Sequence, residues 1–337
     1  MSIQIQQKPV GAVLFQYDLY PERIETVGKI KKIHTANGQY ALKETQMTEE
    51  EGEWFVHVMK RLERINYHFV IPIIPNKYGD HLIRYGKQTY YLMPWYEDHT
   101  EFRYPVEQEE VMVEEIAKLH DLTERTQEYS EEVLEDSFET LKKRWALRRI
   151  EMERYVDQIE GNEYYSPFEL TLLTHFQRTL FMANEAEKHL TSWYEGAKEK
   201  KSFRSVLCHG KPSRKHVCFD KYGTAYFINF EKAVLDTPSR DLALLFRHYF
   251  QSRPWDEHEG RHWLQLYEKQ FTLSDEERHL FISYLAFPES IYQTVDTYMK
   301  KRDKLTEFQA VTQLERKILT MHRVHRFMNS VFPKENG

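Results

Sequence analysis

Between Ile24 and Glu44 apolar and polar positions alternate, with Ile30, Ile33, Tyr40 and Leu42 marking one face and Asn37-Gly38 interrupting the run. A period of two turns every second side chain inward, and Asn-Gly is the strongest two-residue hairpin signal, so the stretch predicts strand, turn, strand. The period then lengthens. In "MTEEEGEWFVHVMKRLERI" Trp54, Val58, Leu62 and Ile65 recur at helical spacing, and Thr48 stands as a cap with Glu51 three residues on as its reciprocal partner. The pieces "FVIPIIPN" and "DHLIRYGKQTYYLMPWYE" return to a strand-rich pattern. Residues 1–96 therefore predict a small β-rich lobe with one helix inserted.

From Pro105 to Lys201 helical periodicity dominates, beginning with Val111, Ile116 and Leu119 on one face. "EEVLEDSFETLKKRWALRRIEMERYVDQIE" predicts one long helix or a pair, 203–230 returns to short strands, and the chain from 236 onward is again helical. The pattern gives an α+β protein of two lobes, 1–96 and 97–337, the second mainly helical with a short-strand region at 203–231.

Composition narrows the function. With 337 residues, 41% hydrophobic and 30% charged, the chain suits a globular protein with a well-solvated surface. No run of 18 apolar residues is present, and the first residues lack the pattern of a secretory leader, so neither a membrane span nor export is expected. A net charge of −6 argues against nucleic acid as the main partner. The only two cysteines, Cys208 and Cys218, read as small buried apolar residues before they read as a disulfide or redox pair. The basic run Lys142, Lys143, Arg144, Arg148 and Arg149 reads first as a solvated helix face balanced by Glu135, Glu139, Glu151 and Glu153. His322 and His325, three apart with no acidic or thiolate ligand nearby in sequence, read as ordinary helix residues rather than a metal pair.

Four features occur in a fixed order: a hairpin with Gly28 near its start, Lys43 in "YALK", the apolar "LMPWYE" at 92–97, and "CHGKPSRKHV" followed by "FINFEKAVLDTPSRDLALLF". Each alone is weak, but the order and spacing are specific. Over nearly its whole length the chain resembles the protein-kinase-like fold in its aminoglycoside/choline phosphotransferase branch. Within that branch it resembles the CotS-type spore coat proteins of Bacillus-like bacteria, nearest the coat-associated YutH group. "YLAFPESIYQTVDTYMKK" is similar to that group's C-terminal region. Active members of the branch read His-Gly-Asp, then Asn five residues later, then Asp-Phe-Asp. The resemblance puts His209 and Gly210 on the His-Gly, Lys211 on the catalytic Asp and His216 on the metal-binding Asn. It puts Asn229 on the metal-binding Asp of the second motif, with Phe230 kept and Glu231 as the second acid. Arg240-Asp241 match a pair whose Asp buttresses the catalytic loop. Lys43 matches the phosphate-pairing lysine, with Glu53 as its helix partner and Met93 on the nucleotide cleft.

These departures bear directly on the chemistry. Phosphoryl transfer is mainly positioning and charge neutralisation through magnesium, a hard ion that prefers carboxylate oxygens. Asn229 supplies a neutral carbonyl, His216 an imidazole, and Lys211 a cation where the resemblance implies a carboxylate. Loss of a general base alone typically costs ~10²–10⁴ in rate. The sequence therefore predicts a catalytically inactive kinase-fold protein with no metal and no cofactor. By resemblance it is made in the mother-cell cytoplasm and works as a structural or assembly component of the spore coat, with other coat proteins as partners. Its working surfaces are expected at Phe287, Tyr292, Tyr298, Phe308 and Phe327, or around Arg148. The alternative is an atypical ATP- and magnesium-dependent phosphotransferase that uses Glu231 and the loop cations Lys211, Arg214 and Lys215 on a small hydroxylated molecule or a coat protein.

Overall fold

The Asn37-Gly38 turn forms: β2 (Ile30–Thr35) and β3 (Gly38–Thr45) pair antiparallel with Thr35 opposite Gly38. The computed structural model describes residues 2–99, 105–252, 256–301 and 305–332. Two compact units divide the chain: residues 1–115 with 209–234, and residues 116–208 with 235–337.

In the first unit the stretch from Ile24 holds three strands rather than the two expected. β1 (Arg23–Val27) pairs with β2 across a Gly28-Lys29 turn in which Gly28 adopts φ +61°. β4 (Ile83–Tyr85) and β5 (Gln88–Pro94) complete an antiparallel sheet ordered β1-β2-β3-β5-β4. A helix that periodicity did not predict, α1 (Ser2–Gln16), sets Val10, Val13 and Leu14 against Ile33, Leu42, Ile83, Tyr90 and Leu92. The predicted helix is α2 (Glu49–Arg64), with the Thr48–Glu51 capping box formed. Its inward face is Phe55, Val58, Met59 and Leu62, a slight rotation from the predicted stripe. The rotation leaves Trp54 at the edge, where its indole N–H donates to the Ala233 carbonyl at 2.7 Å.

α3 (Pro105–Thr123) opens the helical part, and β6 (Arg125–Glu128), which the sequence did not suggest, follows it. α4 (Glu131–Glu160) is one continuous helix capped by Ser130, and α5 (Pro167–Lys200) is started by Ser166, Pro167 and Glu169. β7 (Ser202–Cys208) lies between β6 and β10 (Val234–Asp236), while β8 (Val217–Phe219) and β9 (Ala225–Phe227) form a separate hairpin in the first unit. α6 (Pro238–Ser252), α7 (Glu257–Gln270), α8 (Asp275–Ala286), α9 (Glu289–Lys301) and α10 (Glu307–Val331) complete the second unit. No helix is long and apolar enough to cross a membrane among the described residues. Both cysteines are free thiols.

The surfaces expected to do the work are mostly interior. Phe287, Tyr292, Tyr298 and Phe327 are buried, and only Phe308 is exposed, at 81%. Arg148 is held by Asp296 at 2.8 Å, Glu151 at 3.2 Å and Glu289 at 3.5 Å, while Arg149 pairs with Glu153 at 2.8 Å. Aromatic side chains at helical spacing fill the core, and the last two members of the basic run, Arg148 and Arg149, are neutralised by neighbouring carboxylates. His325 Nδ1 lies 2.6 Å from Arg178, and the His322 ring packs edge-on to His175, a setting for helix residues rather than ligands.

A different histidine pair couples the second unit to pH. His189 on α5 and His279 on α8 approach with Nδ1 atoms 2.9 Å apart, and Phe332 packs on both rings. Burial, then the neighbouring His279, pushes His189 down to about 4, and burial lowers His279 as well. Folded values below the ordinary ~6.5 mean that the unfolded chain takes up protons first. Stability is therefore full above pH ~6.5 and falls as pH drops toward 4, the His189 part of the loss being about 2–3 kcal/mol once its partial exposure is allowed for. Melting from pH 7 to 4 should show this loss, and His189→Leu should remove the larger part of it, leaving the share that burial of His279 contributes.

Candidate functional site

The buried run Val206, Leu207 and Cys208 at the end of β7 delivers the chain into His209 and Gly210. His209 is wholly buried. Its Nδ1 accepts from the Lys211 backbone N–H at 3.2 Å, its Nε2 donates to the Ile228 carbonyl at 2.9 Å, and its ring lies 4.6 Å from Phe230. One imidazole thus ties the start of the loop to the segment after β9. Gly210 has φ +78°, and a Cβ placed there would meet the Lys232 carbonyl oxygen at 1.9 Å. Glycine is required for both reasons.

The loop then folds onto itself. Arg214–His216 form a short 3-10 turn, and Asn229 adopts a left-handed φ of +71°, a conformation that asparagine tolerates. Lys43 Nζ on β3 donates to Asn229 Oδ1 at 2.5 Å and lies 2.6 Å from Glu231 Oε1. The Tyr91 hydroxyl donates to the same Glu231 oxygen at 2.8 Å, and the Thr45 hydroxyl reaches Oε2 at 3.3 Å. The amide of Asn229 donates to His216 Nε2 at 2.9 Å, and His216 Nδ1 donates to the Lys211 carbonyl at 2.8 Å. Each donor meets an acceptor when His216 is neutral with its proton on Nδ1. Burial is the main cause that holds the His216 pKa below the ordinary histidine value; the bond to the Lys211 carbonyl pulls it up, and the charges of Lys211 and Lys43 push it down by less.

Two of the three departures seen in the sequence therefore converge. The side chains of His216 and Asn229 are linked in series, Lys211 joining only through its backbone carbonyl, and the chain of bonds ends on the Lys43–Glu231 pair. These donors do not suit magnesium. Octahedral binding needs several hard oxygens, and Glu231, the carboxylate that the described residues place in this network, is already engaged by a lysine, a tyrosine and a threonine. A cation in the site competes with an ammonium already 2.6 Å from that carboxylate.

Other expected site residues fall elsewhere. Glu53 is exposed on α2, and the partner of Lys43 is Glu231; α2 reaches this segment instead through Trp54 and through Glu51, which pairs with Lys232 at 2.8 Å. The Glu53 pairing is thus corrected: its position faces outward because Phe55, Val58 and Met59 take the inner face. Met93 is buried in β5 opposite Ala41. Of the loop cations, Arg214 is committed to Asp98 at 2.9 Å, to Gln108 and to the Val217 carbonyl, whereas Lys211 and Lys215 are exposed. Arg240 pairs with Asp236 at 2.6 Å in the second unit, where wholly buried Asp241 lies 3.6 Å from His120 Nε2. Tyr91 and Thr45 were missed. The signal for Tyr91 was register, since it stands directly opposite Lys43 across β3 and β5.

Solved structures place the fold in a class. The chain is similar to an aminoglycoside phosphotransferase from Alicyclobacillus acidocaldarius, with a TM-score of 0.78 and 16% identity over 96% of this chain and 95% of that one. It is similar to a spectinomycin phosphotransferase (TM-score 0.62, 11% identity, 95% and 98% covered) and to a microcompartment-associated aminopropanol kinase (0.62, 10%, 97% and 98%). The fold is that of the protein-kinase-like phosphotransferases. Within it, the family described as spore coat putative kinase YutH matches residues 12–331, and the chain belongs to that family. No protein with a curated description matches the sequence.

Proposed function

We propose that this member of the spore coat family is a kinase-fold protein without phosphotransfer activity, acting as a structural or assembly component among other coat proteins. The observation that carries the reading is the series Lys43–Asn229–His216, in which the two positions that would hold metal bond to each other and to the lysine, and the His216 ring is held by the Lys211 backbone carbonyl. Magnesium and ATP find neither an unengaged carboxylate nor a general base there, because Lys211 presents an ammonium at the base position. The retained His209, Gly210 and Lys43 serve architecture, fixing the loop and closing the pair with Glu231.

The test is thermal melting with millimolar ATP, with and without magnesium. A ligand at a hundred times its Kd stabilises by about 2.7 kcal/mol, so even modest binding is visible. The midpoint is expected to stay unchanged in both conditions, and a magnesium-dependent rise of several degrees would favour the phosphotransferase alternative.

A further inference from the structure

A cavity of about 500 Å³ lies wholly within the second unit, framed by the start of α4, the end of α5, the first residues of β7 and the face of α8. It uses none of the residues of the Lys43 network. Its volume falls in the range of pockets that take one small organic molecule. Tyr129, Trp193, Phe203 and Tyr284 supply broad ring surfaces, and Val133 and Leu280 add aliphatic ones. Aromatic and aliphatic walls of this kind reward a flat apolar body.

The charges at the cavity are balanced within the protein. Glu276 pairs with Lys200 at 2.6 Å, Arg204 Nε donates to Glu277 at 3.0 Å, and Asp236 pairs with Arg240 at 2.6 Å. A charged ligand would have to break one of these pairs, so the wall favours a neutral one. Two polar ends are left for it. The Trp193 indole N–H and the Tyr284 hydroxyl have no hydrogen-bond partner among the described residues, although both side chains line the cavity. Burial pushes the Tyr284 phenol up to about 12, which keeps it a proton donor across the physiological range. Unpaired donors in an apolar wall are satisfied by an acceptor on the occupant.

We propose that this cavity is a binding site for a neutral, flat, largely aromatic small molecule carrying one or two hydrogen-bond acceptors, received by Trp193 and Tyr284. The site is independent of the phosphotransfer reading, because none of its residues belongs to the candidate loop.

The probe is N-phenyl-1-naphthylamine, a neutral aromatic amine whose emission rises in apolar surroundings, titrated into the full-length protein. Saturable binding at one site per chain is expected, with quenching of tryptophan emission that Trp193→Phe diminishes. Val133 and Ser137 are exposed, so Val133→Trp and Ser137→Trp can fill the mouth without disturbing the core. Each should weaken the probe by at least about tenfold at an unchanged melting midpoint. Leu147→Ala with Ile150→Ala, which removes exposed apolar side chains elsewhere on α4, should leave binding as it was. Non-saturable binding, binding indifferent to both filling variants, or binding lost with the Leu147/Ile150 pair would overturn the proposal.

Discussion

Gly210→Ala should lower stability by about 3 kcal/mol or more. Two costs add. The residue holds φ +78°, where a side chain costs roughly 1–2 kcal/mol, and the new methyl would sit 1.9 Å from the backbone oxygen of Lys232. The oxygen cannot retreat easily. Its segment is tied by the Trp54 indole on Ala233, by Glu51 on Lys232 and by His209 on Ile228. Urea unfolding is the direct measurement, with a large drop in midpoint expected. A loss below about 1 kcal/mol would mean that the loop yields freely, and that Gly210 is not pinned as described.

Lys43→Met carries the second-largest effect. The lysine and Glu231 side chains are only 17% and 15% exposed, so removing the cation leaves a largely desolvated carboxylate with a tyrosine and a threonine for company. Breaking one side of such a pair costs about 2–3 kcal/mol, at the lower edge of the range for fully buried pairs. Glu231→Gln added to Lys43→Met should recover most of that loss, because the stranded charge is then gone and the amide can still bond Tyr91. The double-mutant cycle is expected to give a coupling of about 2 kcal/mol. Additive losses would show that the two groups do not act as a pair.

Much of this was legible in the sequence, and the reasons differ by element. The Asn37-Gly38 turn and the Thr48–Glu51 box were readable because each is a local signal, complete within four residues. The loop at 207–220 was readable from the order of its motifs, and the altered positions Lys211, His216 and Asn229 stood out against the family pattern. Their bonding to one another was not readable, since it depends on a left-handed Asn229 and on a turn that brings residues 13 apart within 2.9 Å. The partner of Lys43 was missed for a related reason. A helix glutamate was expected, but the strand order sets β3 beside β5, so that Lys43 and Tyr91 share one carboxylate 140 residues beyond the tyrosine. The aromatic positions of the last helices misled because helical spacing of large rings marks a core stripe as readily as a docking surface. The cavity in the second unit carries no motif at all; α4, α5, β7 and α8 form it only once folded.

On the proposed reading, Asn229, His216 and Glu231 are engaged by one another and by Lys43, leaving no place for magnesium with nucleotide. Isothermal titration of ATP into the unaltered protein, with and without magnesium, measures this directly, and Lys211→Asp/His216→Asn/Asn229→Asp serves as the comparison. No magnesium-dependent heat is expected in the unaltered protein, and magnesium-dependent binding is expected in the triple variant. Micromolar, magnesium-dependent binding by the unaltered chain would contradict this reading.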